Sequence, residues 1–157
     1  MKPRLYIETT IPSYLVARPS PLIRIAADQQ TTREWWESKR HEYDLFTSVV
    51  VLEEASTGDS EMAAARVTSL ASISLLTEPP LATTLARHLL AKQIIPEVAA
   101  DDAFHLAIAA AHHIDFLLTW NCKHIHNPHL ERRIADACAA HGLRVPVICT
   151  PAELLQL

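Results

Sequence analysis

The sequence predicts a three-layer α/β/α sandwich around a central parallel sheet of about five strands. Short apolar runs of four to seven residues alternate with longer amphipathic stretches along the chain. Runs of this kind are typical of strands buried on both faces. Strands separated by helices imply right-handed crossovers, which place parallel strands between two helical layers.

The length of 157 residues indicates one domain, residues 1–157, with a sizeable core. Hydrophobic residues make up 49% and charged residues 20%, which excludes a disordered or fibrous chain. An unbroken apolar run of about 18 residues and a basic-then-apolar leader are both missing from the sequence. We therefore expect a cytoplasmic protein without a membrane partner.

The predicted strands are the compact apolar runs, whose lengths suit buried strands. In chain order they are RLYI (4–7), DLFTSVV (44–50), SISLL (72–76), DFLLT (115–119) and PVICT (146–150).

The predicted helices are the amphipathic stretches between these strands. They cover roughly residues 21–42, 52–57, 60–71, 80–93, 97–113 and 128–141. Asn127 and Pro128 indicate an N-cap and a first helical turn, and Gly142 suits the left-handed end of the same helix. Gly58 is expected to end one helix and Asp59 to cap the next.

Composition and missing motifs exclude several classes of protein. Two glycines cannot build a GxGxxG dinucleotide loop or a GxxxxGK[ST] phosphate loop. The sequence also lacks a GxSxG elbow and an HExxH helix. Cys122, Cys138 and Cys149 are odd in number and widely spaced, so we expect reduced thiols. The net charge of −4 argues against a protein that coats nucleic acid nonspecifically.

Polar side chains cluster at predicted strand ends and helix starts, where open α/β sheets bind ligands. They are Glu8, Glu53 and Glu54, Asp101 and Asp102, and Thr119 and Asn121. Carboxylates brought together without a cation would repel and raise one another's pKa values. A hard divalent cation such as Mg²⁺ or Mn²⁺ removes that conflict, because it prefers oxygen ligands.

The motifs YIETT, VVLEEA, ADDAFHLAIA and LLTWNCKHI resemble the motif set of PIN-domain ribonucleases. That family includes the VapC toxins of type II toxin-antitoxin pairs, and the resemblance covers about residues 4–150. It implies a Mg²⁺- or Mn²⁺-dependent endoribonuclease that hydrolyses RNA phosphodiester bonds. It also implies RNA as substrate, an antitoxin protein as a partner and a homodimer.

The resemblance assigns the catalytic positions to Glu8, Glu54, Asp102 and Asn121, with Glu53 as an alternative to Glu54. The first three would hold the metal. Supporting or substrate-contacting roles fall on Thr9, His105, Thr119, Lys123 and His124, with Arg18 as a weaker phosphate contact. We expect His105 to fix a carboxylate by a hydrogen bond rather than to bind the metal directly.

Two positions depart from the family pattern and motivate an alternative function. Glu8 stands where the family usually has aspartate, and Asn121 replaces a negative charge with a neutral amide. The alternative is a catalytically weak PIN-like module that binds RNA or protein. A receiver-like phosphoacceptor domain shares the architecture, but Thr77 and Glu78 follow the third strand where an aspartate is needed.

Each candidate residue also has a purely structural interpretation. An acid such as Asp102 stabilises a helix N-terminus, Glu54 suits a solvated helix face, and Asn121 suits a turn. Glu8 is harder to explain this way, because burying a carboxylate without partners is costly.

Histidines and tryptophans outside these motifs leave further alternatives. The spacing of His112, His113, His124, His126 and His129 matches no zinc pattern, so loop positions and helix C-terminal charges are favoured. Trp35 and Trp36 suit base stacking, although a core or interface position is the more usual one for such a pair.

Overall fold

Parallel pairing joins five strands into one sheet within residues 1–156, the part of the chain that the computed structural model describes. The strands are β1 (Arg4–Ile7), β2 (Asp44–Ser48), β3 (Ser74–Leu76), β4 (Phe116–Leu118) and β5 (Val147–Cys149). Their order across the sheet is β3-β2-β1-β4-β5. The predicted parallel sheet is therefore confirmed.

Helices cover both faces of this sheet. They are α1 (Thr10–Val16), α2 (Ile23–Ser38), α3 (Val49–Ala55), α4 (Ser60–Leu70), α5 (Pro80–Ala91), α6 (Ala100–Ala111), α7 (Glu131–Ala140) and α8 (Pro151–Leu155). Helix α1 contacts α2 and α4, and α2 contacts α8, whereas α5 contacts α6 and α7. The connections from β1 to β3 run towards one edge of the sheet, and those from β3 to β5 run towards the other. Right-handed crossovers in opposite directions lie on opposite faces, so the two groups of helices form the two outer layers of the predicted sandwich.

The strand order places a ligand crevice beside β1. The chain runs from β1 outward through β2 and β3, and then returns to the other side of β1 as β4. Open α/β sheets bind ligands at such a reversal, outside the carboxyl ends of the strands. Glu8 directly follows β1 and Thr119 directly follows β4, so both lie at this reversal.

The tandem tryptophans lie at the opposite end of the sheet. Trp35 has no solvent exposure and packs against Tyr43, the residue before β2. Trp36 is half-buried, with the Arg40 guanidinium 5.1 Å from its ring centroid. Trp35 is thus a core residue, as the structural interpretation expects.

Several predicted boundaries are wrong. The strand predicted at 44–50 ends at Ser48, whose hydroxyl accepts a hydrogen bond from the Val51 N–H and so caps α3. The three valines that favour a strand are therefore the first residues of a helix. The helix predicted at 21–42 ends at Ser38, and a 3-10 turn follows over Arg40–Glu42.

The prediction of an N-cap at Asn127 is also wrong, because α7 begins at Glu131. Asn127 instead starts a turn, in which its Oδ1 accepts a hydrogen bond from the His129 N–H at 2.9 Å. The short helices α1 and α8 fall outside the predicted helical ranges.

The glycine predictions are confirmed. Gly142 follows α7 with a φ of +69°, and Gly58 precedes the cap of α4 with a φ of +82°. Asp59 caps α4 through a hydrogen bond from the Met62 N–H at 3.0 Å. Across residues 1–156, every helix is too short or too polar to cross a membrane.

Candidate active site

Glu8 is the buried acid of the crevice, with 2% of its surface exposed. Its Oε2 accepts hydrogen bonds from the Thr10 N–H at 3.0 Å, the Thr10 hydroxyl at 2.5 Å and the Thr119 hydroxyl at 2.8 Å. The Glu8 N–H donates to the Leu118 carbonyl at 3.2 Å. The first turn of α1 and the end of β4 therefore fix this carboxylate from two sides.

Burial raises the pKa of Glu8, although the His105 charge and the hydroxyl donors act in the opposite direction. Desolvation disfavours the charged form of a carboxyl group. A cation beside Glu8 would therefore favour its ionised form.

Glu54 begins a chain of hydrogen bonds that runs into the core. Its Oε1 accepts from the Thr9 hydroxyl at 2.7 Å and from His105 Nε2 at 2.5 Å. The fully buried His105 places Nδ1 2.8 Å from the Tyr6 hydroxyl, which lies 2.7 Å from the Ser48 hydroxyl. Helices α3 and α6 and strand β1 thus hold the Glu54 carboxylate in one orientation.

The pKa values of Glu54 and His105 indicate an ion pair. Burial disfavours the charge on His105, but the hydrogen bond that His105 donates to Glu54 and the charges of Glu8 and Glu54 together raise the His105 pKa. Burial also acts against the Glu54 charge, yet the His105 and Thr9 hydrogen bonds lower the Glu54 pKa. Burial raises the pKa of Tyr6, so its phenol stays neutral.

Glu8, Glu54 and His105 form a group that could hold a cation. Each side chain places one ligand atom within 4.8 Å of the ligand atoms of the other two. Among the residues 1–156, this is the group of three acid, histidine or cysteine side chains that lie close enough to share an ion. Two carboxylates suit a hard divalent ion. Because both ring nitrogens of His105 already make hydrogen bonds, His105 supports Glu54, and the donor set fits Mg²⁺ or Mn²⁺.

Asp102 lies outside that group in this structure. Its Oδ2 is 2.9 Å from Nδ1 of His124, and the two side chains are 13% and 18% exposed. Its neighbour Asp101 is exposed, and burial and the Glu54 charge raise the pKa of Asp101. Metal binding by Asp102 stays a prediction.

Asn121 organises the turn that carries His124. Its Oδ1 accepts hydrogen bonds from the backbone N–H groups of Lys123 at 3.2 Å and His124 at 3.0 Å. Its own N–H donates to the Thr119 hydroxyl at 2.9 Å, the hydroxyl that donates to Glu8. Asn121 therefore links the Glu8 pocket, through its backbone N–H, to the turn that carries His124, through its side-chain oxygen. The Lys123 side chain is exposed to solvent.

The remaining predicted contacts lie elsewhere. Arg18 is 3.8 Å from Glu61 on the surface, and Glu53 is exposed. His126 Nε2 is 3.1 Å from Glu153, and His112 Nε2 is 2.8 Å from the Thr77 carbonyl. These histidines have separate partners rather than a common one.

Sequence reasoning missed Tyr6, Ser48 and Thr10. A strand alternates its side chains with a period of two, which places Tyr6 and Glu8 on one face. That signal was available in YIETT. The contact of Tyr6 with His105, 99 residues further along the chain, depends on how α6 packs against β1.

The fold is similar to that of solved VapC structures. VapC20 of Mycobacterium tuberculosis, a sarcin-ricin loop cleaving toxin, matches with a TM-score of 0.60 at 17% identity over 76% of this chain and 91% of that chain. VapBC2 of Rickettsia felis, solved bound to a DNA fragment from their promoter, matches with a TM-score of 0.59 at 15% identity over 93% and 97%.

No protein-family profile matches the chain. No curated protein matches it either. At such low identity the likeness concerns the fold, and the chain has the VapC-like PIN-domain fold.

Proposed function

We propose that this protein is a divalent-metal-dependent endoribonuclease. The observation that carries the proposal is the meeting of Glu8 and Glu54 at the sheet reversal, in a fold similar to that of VapC toxins. The His105 imidazolium is one positive charge beside two carboxylates, of which Glu8 is buried, so the pair suits a further cation. A divalent cation supplies that charge in the chemistry of phosphodiester hydrolysis.

Each side chain has a defined task in this proposal. Glu8 and Glu54 would hold Mg²⁺ or Mn²⁺, and the ion would supply activation of a water molecule and a positive charge near the leaving oxygen. Thr10 and Thr119 fix the Glu8 carboxylate, and His105 fixes that of Glu54.

The Asp102 side of the site completes the proposal. Asp102 would add a third carboxylate once it separates from His124, and Asn121 holds the turn on which His124 lies. Lys123, exposed on the same turn, would contact a substrate phosphate.

We also propose that the protein acts in the cytoplasm as a homodimeric toxin restrained by an antitoxin protein. The support is the fold similarity to VapC20, described as a toxin, and to VapBC2. Growth arrest on expression, relieved by the product of a neighbouring gene, would test this part. Growth unaffected by expression of the active enzyme would contradict it.

The test of the nuclease is cleavage of a mixed, structured RNA in Mg²⁺ or Mn²⁺ against EDTA. Glu54→Gln and Asp102→Asn should lose cleavage by a factor of about 100 or more, because each loses a ligand charge. Glu53→Gln is the matched control, since Glu53 is the exposed neighbour of Glu54. Cleavage that survives EDTA, or that depends on Glu53 instead, would contradict the proposal.

A second candidate is the catalytically weak module that binds RNA or protein. The observation in its favour is that the neutral Asn121 uses its amide oxygen in a turn while Asp102 pairs with His124. RNA binding in EDTA without cleavage in either metal would favour this module over the nuclease.

A further inference from the structure

A groove beside the candidate active site has no task in the proposed hydrolysis. It encloses about 750 Å³ and lies between α1, the start of α2 and the turn after β4. Leu22 and Ile23 line it and are 61% and 88% exposed. Its aromatic wall is formed by Tyr14 and Trp120, whose rings stack at 6.0 Å with an interplanar angle of 18°.

Trp120 is fixed to the same threonines that hold Glu8. It directly follows Thr119, and its backbone N–H donates to the Thr10 hydroxyl at 2.8 Å. Both hydroxyls donate to the Glu8 carboxylate. The indole N–H donates to the Thr32 hydroxyl at 2.8 Å, so the ring is held from two points. The aromatic wall and the carboxylate pocket therefore share one rigid unit.

The polar groups of the groove suit a nucleobase. Arg24 and Asp28 line it together with the two rings. A base has an apolar face that stacks on aromatic rings and polar edges that pair with donors and acceptors. Arg24 supplies donors and a positive charge for the adjoining phosphate, and Asp28 supplies an acceptor for an exocyclic amine. An aliphatic peptide side chain has no polar edge to bond with Arg24 or Asp28.

We propose that the Tyr14–Trp120 groove binds one base of a single-stranded RNA next to the scissile phosphate at the Glu8–Glu54 site. This inference rests on the proposed nuclease for the identity of that phosphate. The groove thereby contributes to substrate affinity and to the choice of cleavage position. Trp120 acts on binding, whereas the carboxylates act on the chemical step.

The first test measures binding of a short single-stranded RNA in EDTA, where cleavage is blocked. Trp120→Leu should bind about tenfold more weakly, since stacking on one aromatic ring contributes about that factor. Trp120→Phe keeps an aromatic face and should stay within about threefold of wild type. Trp36→Leu is the matched control, because Trp36 is half-buried at the other end of the sheet. Tyr14→Leu probes the same wall from α1 if Trp120→Leu fails to fold.

The second test removes the base instead of the ring. An abasic position moved along the RNA should weaken binding to wild type at one place by about tenfold and should cost Trp120→Leu nothing further. Equal abasic penalties in both proteins, or equal affinity of Trp120→Leu and wild type, would overturn the groove proposal. The groove proposal would also be overturned if added free base displaced the RNA from neither wild type nor Trp120→Leu while an apolar peptide bound tightly in the groove.

Cleavage in Mn²⁺ separates this inference from the proposed function. A cleaving enzyme in which Trp120→Leu raises KM about tenfold at unchanged kcat supports both. Cleavage with an unchanged KM overturns the groove and leaves the nuclease standing. If wild type never cleaves, yet its RNA affinity falls on Trp120→Leu and at one abasic position, the nuclease is overturned and the groove is supported.

Discussion

Two carboxylate–imidazole pairs lie at the carboxyl edge of the sheet, and they differ in what supports the imidazole. In Glu54–His105 the ring is fully buried and its second nitrogen contacts Tyr6. In Asp102–His124 the ring is 18% exposed and stands on a turn held by Asn121. The Glu54 carboxylate is therefore fixed in place by the core. The Asp102 carboxylate is held only by a side chain on a surface turn, so a movement of that turn would release it.

The largest expected difference between the pairs is in stability. His105→Ala should lower the free energy of unfolding by about 3 kcal/mol, because it leaves a cavity and removes the partner of two polar groups. His124→Ala, the matched change, should cost less than about 1 kcal/mol, because water can replace the ring. Urea denaturation measures both, and equal losses would contradict the comparison.

A smaller change tests the support behind His105. Tyr6→Phe removes the hydroxyl between His105 and Ser48, and should cost about 1–2 kcal/mol. Tyr14→Phe removes a hydroxyl from the half-buried groove wall and should cost less than about 0.5 kcal/mol. Urea denaturation of both variants again gives the answer, and a neutral Tyr6→Phe would show that the chain of hydrogen bonds does not support the imidazole.

The pH dependence of stability should reflect the Glu54–His105 ion pair. The folded pKa of His105 is raised above its ordinary 6.5. The imidazolium therefore stabilises the fold fully below pH 6.5, and this contribution is lost as pH rises through the folded pKa. The contribution to the free energy of unfolding is about 1.4 kcal/mol for each pH unit by which the folded pKa exceeds 6.5.

We expect the urea midpoint to fall from pH 6.5 upward in wild type and to fall less steeply in His105→Gln. Glu8, whose pKa is also raised, changes stability in the same direction in both proteins. Only the difference between the two curves therefore reports His105. Parallel curves would show that His105 does not carry the charge.

The smallest expected effect concerns the turn of the second pair. Asn121→Asp keeps the Oδ1 acceptor for the Lys123 and His124 N–H groups, so the free energy of unfolding should change by less than about 0.5 kcal/mol. The added charge should tighten Mn²⁺ binding by about fivefold, measured by calorimetry. Asn121→Ala, which loses the acceptor, is the control for the turn, and an unchanged Mn²⁺ affinity in Asn121→Asp would place Asn121 away from the ion.

Much of the fold could be predicted because buried parallel strands are short apolar runs. The first strand, 4–7, coincides with β1. The run TSVVVLEEAS was misread at its middle, because valines favour strands and only the cap at Ser48 starts the helix there. Helix α1 lies outside the predicted helical ranges, because its β-branched Thr10, Ile11 and Val16 have low helix propensity.

Less of the candidate site could be predicted. Glu8, Glu53 and Glu54 stand out because they follow predicted strands, and the family resemblance favours Glu54 over Glu53. The pairing of His105 with Glu54 rather than with Asp102 depends on how α6 packs against α3. Asn121 fits both its structural and its functional interpretation, since its side-chain oxygen closes a turn and its backbone N–H bonds to Thr119 beside Glu8.

The most direct test of the central claim is calorimetric titration of Mn²⁺ into wild type, Glu54→Gln and Glu53→Gln. We expect Mn²⁺ to bind wild type and Glu53→Gln, and to bind Glu54→Gln at least about tenfold more weakly. Binding that is equal in all three proteins, or that is lost in Glu53→Gln alone, would contradict a cation site at Glu8 and Glu54.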